Sequence, residues 1–149
     1  MPWLLDTNQW IMLLKGRCAP LAAKLHEVSP DDVWLCSIVK EELLHGALKY
    51  EETAARMAKL VPLFNGHPSA PYDDAAAEEA AKVRHDLESR RLVIGPRDTQ
   101  IAGLALSRGW TLVTANTNEF SRVTGLKLED WDEADRGTGG RIAGFVSAR

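Results

Sequence analysis

Residues 94–120, with the sequence IGPRDTQIAGLALSRGWTLVTANTNEF, constrain the fold of this chain more than any other stretch. Gly95 and Pro96 interrupt a preceding helix, because glycine permits unusual dihedrals and proline fixes φ. The apolar run that follows predicts a helix buried on nearly all sides, which Gly109 is placed to end. Residues 110–114 then predict a short buried strand of the kind found in parallel sheets. A loop, a buried helix and a buried strand in this order indicate an α/β domain.

Short apolar runs elsewhere in the chain predict the other strands. We expect residues 3–5 to form the first and central strand, residues 33–39 the second, and residues 123–128 a short final strand. Apolar residues at helical spacing predict helices at 20–28, 40–49, 51–64, 74–90 and 98–108. Strands that alternate with helices favour a parallel sheet covered on both faces. The predicted fold class is therefore α/β, a three-layer α/β/α sandwich with a mostly parallel central sheet.

The helix predicted at 51–64 is amphipathic, so one face of it should meet the core. The residues assigned to that face are Ala54, Met57, Ala58 and Val61. Residues 65–71 contain glycine and proline and are expected to form a loop.

The length of 149 residues fits one domain with a sizeable core. We assign residues 1–131 to this domain, and residues 132–149 to a flexible C-terminal tail with local order near 142–146. No apolar stretch approaches the roughly 20 residues that span a bilayer, and the N-terminus lacks the basic segment of a signal peptide. These features predict a cytoplasmic protein with no membrane partner.

Charge, cysteine and histidine content exclude several other classes. A net charge of −3 argues against a protein that coats nucleic acid without specificity, although it suits a nuclease that concentrates its acids in a metal site. Cys18 and Cys36 lack C-x-x-C spacing, which suits free thiols in a reducing compartment. The histidines are scattered with no H-x-x-x-H pair, so the pattern does not predict a zinc site.

Oxygen-bearing side chains follow predicted strands or open predicted helices at four places. They are Asp6 after the first strand, Glu41 or Glu42 after the second, Asp98 before the buried helix, and Asn116 and Glu119 after the strand 110–114. Because sites in open α/β sheets lie at the carboxyl ends of the strands, these side chains are expected to meet. The structural alternative is that each acid caps a helix or complements its dipole, and a helical wheel does not choose between the two glutamates.

Several carboxylates brought together repel one another, and a proton or a bound cation must relieve that repulsion. Ligands that are all oxygen, without cysteine or histidine, favour Mg²⁺ or Mn²⁺. One or two such ions can activate a water and stabilise the transition state of phosphodiester hydrolysis. This chemistry needs no covalent nucleophile, and the chain shows no convincing catalytic triad.

Four motifs occur in order along the chain: LLDTN at 4–8, ELLHG at 42–46, IGPRDTQIA at 94–102 and LVTANTNEFSRV at 112–123. RHDLE at 84–88 and GLKLEDW at 125–131 extend the pattern. Through these motifs the chain resembles the PIN-domain ribonucleases over residues 3–131, and most closely the VapC toxins of bacterial toxin–antitoxin pairs. Each motif is weak alone, but the four in this order and spacing are highly specific.

The resemblance implies a magnesium-dependent endoribonuclease, with Mn²⁺ as a possible substitute, that cleaves structured RNA. The expected substrate is a transfer RNA, the initiator tRNA in the most similar subfamily, or ribosomal RNA. The resemblance also implies a homodimer that is inhibited by a cognate VapB antitoxin and that meets DNA only through that antitoxin.

The resemblance also assigns the site residue by residue. Gly46 fixes the register of the glutamate motif, which favours Glu42 over Glu41. The metal ligands implied are Asp6, Glu42, Asp98 and Asn116, and these four with Glu119 are the implied catalytic residues. Candidate RNA contacts are Thr7, Asn8, Arg97 and Arg122, of which the first two can equally be supporting ligands or helix caps.

The chain departs from the family pattern at three places. Asn116 is neutral, so a second metal would be held weakly. Arg97 stands where an aromatic residue is common, and the tail after Trp131 exceeds the usual end of the family.

These departures motivate one rival, a PIN-fold binding module that keeps its partner but has little or no turnover. A second rival is a phosphotransferase with Asp6 as nucleophile, but that chemistry needs an acid two residues on, where Asn8 stands.

Overall fold

The computed structural model describes residues 2–132 and the pair 146–147. Within these residues the strands are β1 (Trp3–Leu5), β2 (Val33–Cys36), β3 (Ser69–Ala70), β4 (Thr111–Val113), β5 (Lys127–Glu129) and β6 (Val146–Ser147). The helices are α1 (Thr7–Lys15), α2 (Ala19–Glu27), α3 (Ser37–Lys49), α4 (Thr53–Gly66), α5 (Asp74–Ser89), α6 (Pro96–Arg108) and α7 (Thr117–Phe120).

The strands form one sheet in the order β3-β2-β1-β4-β5-β6. β1 lies in the centre and pairs in parallel with β2 and β4, and β6 alone runs antiparallel, beside β5. The register places Leu5 beside Val113, so the residues that follow β1 and β4 leave the sheet side by side. The predicted α/β class, the mostly parallel sheet and the central position of the first strand are confirmed.

α6 is the buried helix that the sequence predicted. Five consecutive residues of this helix, from Ile101 to Ala105, are buried. Gly109 ends the helix in the left-handed conformation with φ of 66°, where glycine carries no steric cost, and its N–H donates to the carbonyls of the last turn.

A small-residue contact sets the distance between α5 and α6. A Cβ atom built on Gly103 would lie 2.6 Å from the backbone of Ala80, which is closer than real Cβ contacts. Ala76 and Ala80 are buried on the facing side of α5. The two helices can approach this closely only because both surfaces carry minimal side chains.

Two predicted strand boundaries are wrong. β2 ends at Cys36 and α3 begins at Ser37, so the last residues of the predicted strand 33–39 are helical. A short apolar run does not by itself distinguish a buried strand from a buried first turn of helix. The final strand begins only at Lys127, because residues 123–126 form a turn that includes Gly125 at φ of 82°.

The inward face predicted for helix 51–64 is also wrong. Ala54 and Ala58 are exposed, and Val61 is 56% exposed. Leu60 is the buried residue of α4, and Met57 is half-buried beside the core. Alanine and valine are tolerated on both the buried and the exposed face of a helix, so the sequence pattern assigned the wrong face of α4 to the core.

The region predicted as a loop at 65–71 contains β3, which pairs in parallel with β2. β3 has only two residues, which is too short for an alternation of apolar and polar residues to be recognised in the sequence. The predicted tail 132–149 falls largely on residues 133–145 and 148–149, which lie outside the described part of the chain. Across the described residues, no helix combines the length and the apolar character that crossing a membrane would take.

The packing of Gly103 against Ala80 generates a stability prediction. We expect Gly103→Ala to lower the free energy of unfolding by roughly 1–3 kcal/mol, because the added methyl group must push backbone away rather than a flexible side chain. Urea denaturation would measure the change. Gly46→Ala in α3 is the matched control: its Cβ meets nothing within 4 Å, so the same substitution should leave stability unchanged or raise it. Equal changes in both variants would contradict the close-contact explanation.

Candidate active site

Asp6 follows the central strand and begins the site. Its backbone N–H still donates to the Val113 carbonyl at 3.1 Å, which continues the pairing of β1 with β4 by one residue. Its side chain caps α1, since Oδ1 accepts from the Gln9 N–H at 3.1 Å. Oδ2 accepts a hydrogen bond from the Thr114 hydroxyl. The carboxyl group is therefore fixed in direction at the carboxyl ends of the two central strands.

The environment of Asp6 opposes its ionisation. The residue is only 6% exposed, and burial raises the pKa of its carboxyl group to about 6, although the hydrogen bonds from Thr114 and Gln9 act in the opposite direction. The charges of Asp98 and Asp132 raise the pKa further. Both charged groups that shift this pKa are themselves carboxylates.

Glu42 reaches the same place from α3. Its Oε1 accepts from the Thr7 hydroxyl at 3.0 Å, which ties α3 to the first turn of α1. The neighbouring Glu41 is exposed, so the structure brings Glu42 to the site and leaves Glu41 in solvent. Because α3 begins at Ser37, its first turn contains no acid, and the alternative that the helix dipole explains these glutamates is wrong.

Asp98 completes a group of three acids from three separate elements. It lies in the first turn of α6, which Gly95 and Pro96 open. Partial burial raises the pKa of its carboxyl group, and the nearby charges of Glu42 and Glu119 raise it further. Every charged neighbour that shifts this pKa is another acid.

Asn116 and Glu119 form the outer wall of the site. The Asn116 N–H donates to the Thr114 hydroxyl at 3.0 Å, which links the loop after β4 to the group that holds Asp6. The Asn116 side-chain nitrogen donates to Glu119 Oε2 at 3.2 Å. Phe120 is buried and anchors the single turn of α7 that carries Glu119. The two residues therefore act on each other, and Glu119 also places negative charge near Asp98.

The donor atoms of these side chains are the types that a hard divalent cation prefers, but the side chains are not close enough together to coordinate one. The donors are carboxylate, amide and hydroxyl oxygens, which Mg²⁺ and Mn²⁺ prefer. No ion pair within residues 2–132 involves Asp6, Glu42, Asp98 or Glu119, so their negative charge is uncompensated there. Among the described residues, no three acidic, histidine or cysteine side chains are grouped closely enough to hold a metal as they stand. Binding would therefore require the carboxylates to move towards the ion.

The groove that the structure describes closest to the site does not include the candidate acids. This groove of about 480 Å³ lies between α5 and α6, next to Pro96 and Thr99.

Comparison with known proteins decides the family. The PIN domain model matches residues 3–126, which include the whole site and most of the chain. The chain belongs to the PIN-domain family.

Its relatives place it among the VapC toxins of that family. It is 34% identical over 131 residues to the tRNA(fMet)-specific endonuclease VapC of Shigella flexneri, a match that covers 88% of this chain and 98% of the relative. It is 30% identical to the protein of the same name from Salmonella typhimurium, again over 88% of this chain and 98% of the relative.

Solved structures agree with this placement. The VapBC2 complex of Rickettsia felis bound to a promoter DNA fragment matches with a TM-score of 0.83 and 28% identity, over 89% of this chain and all of the other. The DNA-bound VapBC complex of Salmonella typhimurium matches with a TM-score of 0.83 and 30% identity, over 88% of this chain and 98% of the other. The predicted resemblance to VapC proteins is confirmed.

The residues predicted to contact RNA lie in different settings in this VapC-type chain. Thr7 is buried, and its hydroxyl donates a hydrogen bond to Glu42, so Thr7 supports that acid rather than contacting RNA. Asn8 and Arg97 are exposed beside Asp6 and Asp98. Arg122 donates to the Val93 carbonyl at 3.3 Å and is half-buried, so part of its hydrogen-bonding capacity is used within the fold.

Sequence reasoning missed Thr114 and Gln9 as members of the site. Thr114 is fully buried, and its hydroxyl joins Asp6 to the Asn116 backbone. Gln9 is 1% exposed, and its backbone N–H donates to the Asp6 carboxyl group. The available signal was a polar residue at the edge of an apolar run, directly before WIMLL for Gln9 and directly after LV for Thr114. Such residues are buried only when they are hydrogen-bonded.

The raised pKa of Asp6 predicts how Asp6→Asn changes stability. The folded protein holds the Asp6 proton up to about pH 6, whereas the unfolded chain releases it near 3.8, so this group makes the metal-free protein less stable as pH rises through that window. The difference corresponds to roughly 3 kcal/mol at 1.36 kcal/mol per pKa unit. Asp6→Asn removes the charge and should be the more stable protein at about pH 7.5, with an advantage that shrinks towards about pH 4.

Urea denaturation in EDTA at several pH values would measure this advantage. Asp31→Asn, in the exposed turn Pro30–Asp32, is the charge-matched control and should change stability little, because residue 31 is exposed. An Asp6→Asn protein less stable than the parent at every pH would contradict the expectation.

Proposed function

We propose that this chain is a metal-dependent endoribonuclease toxin that hydrolyses phosphodiester bonds in structured RNA. One observation carries the proposal: Asp6, Glu42 and Asp98 come from three elements to one edge of the sheet, and their charges oppose one another without a basic partner. Structural caps would not need to face each other in this way. Membership of the VapC toxins supports nuclease activity, and we assign the active site to the position of these acids.

Each residue has a role in the proposed reaction. Asp6, Glu42, Asp98 and Asn116 would hold Mg²⁺ or Mn²⁺, as one ion or two. When bound, the metal supplies an activated water and stabilises negative charge on the phosphate. Thr114 and Thr7 keep Asp6 and Glu42 in direction through their hydroxyl groups. Glu119 holds the Asn116 amide and adds negative charge beside Asp98.

The phosphotransferase alternative is not favoured, because that chemistry needs a second acid two residues after Asp6, where Asn8 stands.

We propose a transfer RNA as the substrate, with the initiator tRNA as the first to test and ribosomal RNA as the next. The support is the similarity to the relative from Shigella flexneri, which is named a tRNA(fMet)-specific endonuclease and aligns with 88% of this chain. Asn8 and Arg97 are exposed beside the acids and are the proposed contacts for the RNA backbone. Such a substrate places the enzyme in the cytoplasm.

We further propose a VapB-type antitoxin as inhibitor, a homodimer as the functional form, and contact with DNA only through the antitoxin. The support is that the similar solved structures from Rickettsia felis and Salmonella typhimurium are VapBC complexes with DNA.

Cleavage of a total tRNA pool by the purified chain tests the proposed activity. We expect discrete fragments with Mg²⁺ or Mn²⁺ and none with EDTA. Asp6→Asn and Asp98→Asn should each lower kcat/KM by about 100-fold or more, because each removes a ligand charge that acts in the transition state. Asp74→Asn at the start of α5 is the charge-matched control and should cleave normally.

Cleavage that persists in EDTA, or that both aspartate variants retain, would overturn the proposed metal site. Sequencing the fragment ends would identify the RNA.

A second candidate function is a PIN-fold binding module without useful turnover. It is favoured by the neutral Asn116 and by the absence of a ready-made metal cluster among the described residues. Calorimetry with Mn²⁺ separates the two functions: heat of binding that disappears in Asp6→Asn supports the nuclease, and a folded parent protein that binds no metal supports the module.

The acidic surface generates a prediction about the antitoxin. We expect its inhibitory segment to present basic or aromatic groups to Asp6, Asp98 and Glu119, because an uncompensated acidic surface attracts cations. Hydrogen exchange of the complex should show protection near residues 6–10 and 96–99. Protection confined to a surface remote from Asp6 would contradict this expectation.

A further inference from the structure

Gln9 bonds to three parts of the site at once. Its backbone N–H donates to Asp6 Oδ1 at 3.1 Å. With its amide oriented so that both ends are satisfied, its side-chain oxygen accepts from the Ala115 N–H at 3.3 Å and its nitrogen donates to Asp132 Oδ1 at 3.0 Å. At 1% exposure, Gln9 does not touch solvent or a substrate itself.

Asp132 is held firmly enough to serve as the other half of this contact. Its backbone N–H donates to Asp130 Oδ1 at 2.9 Å. The preceding Trp131 is 3% exposed, and its indole N–H donates to Glu129 Oε2 at 2.8 Å. The same Glu129 oxygen accepts from the Trp3 indole at 3.0 Å, so the segment is tied to β1 and β5. The backbone that carries the Asp132 carboxylate is therefore held in position.

We propose that Gln9 and Asp132 form a positioning pair that fixes the loop after β4 relative to Asp6. Asp132 accepts from the amide nitrogen of Gln9, and this directs the amide oxygen to the Ala115 N–H. The next N–H in the chain, that of Asn116, is held by Thr114, which also holds Asp6. The N–H groups of Ala115 and Asn116 are thus both hydrogen-bonded to residues that also contact Asp6, and this fixes the backbone that carries the Asn116 side chain.

The pair works through hydrogen bonds rather than through charge. Without the Gln9 amide, the Ala115 N–H and an Asp132 carboxylate oxygen would lose these partners together. Without an acceptor at position 132, the amide is free to rotate and no longer aims at Ala115. The asparagine isostere at 132 keeps that acceptor and loses only the charge.

The first test follows the backbone and needs neither metal nor RNA. In the purified full chain, the Ala115 amide should exchange with solvent about tenfold faster in Gln9→Leu and in Asp132→Ala than in the parent. Asp132→Asn should exchange at the parent rate, as should the control Asp31→Asn. If Gln9→Leu fails to fold, Asp132→Ala still decides, because Asp132 is only half-buried. An unchanged Ala115 amide in Asp132→Ala overturns the proposal.

The second test rests on the proposed nuclease function. Gln9→Leu and Asp132→Ala should each lower kcat about 10- to 100-fold with little change in KM, as is usual when partners of ligand residues are lost. Asp132→Asn should stay within about threefold of the parent, and the double variant should be no worse than the poorer single variant, because both act through one contact. Losses that multiply, or an Asp132→Asn protein as impaired as Asp132→Ala, overturn the pair. If the parent itself cleaves no RNA, the proposed function fails, and amide exchange alone judges the pair.

Discussion

The burial of Asp6 at the end of the central strand is the constraint on which the rest of the site depends. A carboxyl group in this position loses hydration, and the hydrogen bonds from Thr114 and Gln9 return only part of that loss. The surrounding charges come from other acids, so the folded protein carries an unfavourable electrostatic arrangement until a cation or a proton arrives. Strain of this kind is typical of functional sites, because a fold selected for stability alone would have replaced the acid.

The topology explains why these acids meet although they are far apart in sequence. β1 and β4 are neighbours in register, so Asp6 and the loop after Val113 leave the sheet together. α3 follows β2 on the other side of β1 and delivers Glu42, and α6 precedes β4 and carries Asp98 in its first turn. Parallel strands with helical crossovers bring several chain reversals to one edge, which is why open α/β sheets place their sites there.

Sequence patterns predicted the class of fold and the family well, and predicted local boundaries poorly. The helix at α6 was found because its apolar run, its first-turn acid and its terminal glycine all agree. The division between β2 and α3 and the inward face of α4 were missed, since Val39, Ala54 and Ala58 are compatible with either choice and only tertiary packing decides. At the site, the acids could be named from motifs, but Gln9, Thr114 and Asp132 could not. Their roles depend on contacts between β1, β4 and the segment after β5 that no local pattern contains.

The contact between Gly103 and Ala80 has a consequence for how this protein can vary. Because the close approach involves backbone atoms, no change of rotamer can make room for a larger residue at position 103. Neighbouring apolar positions in α6, such as Leu104, can exchange among residues of similar volume, whereas position 103 admits glycine alone without a shift of the helix pair. α6 carries Asp98 in its first turn, so a shift of that pair would also displace an acid of the site. The close packing of the two helix backbones therefore prevents substitution at position 103, although this residue is not one of the site residues.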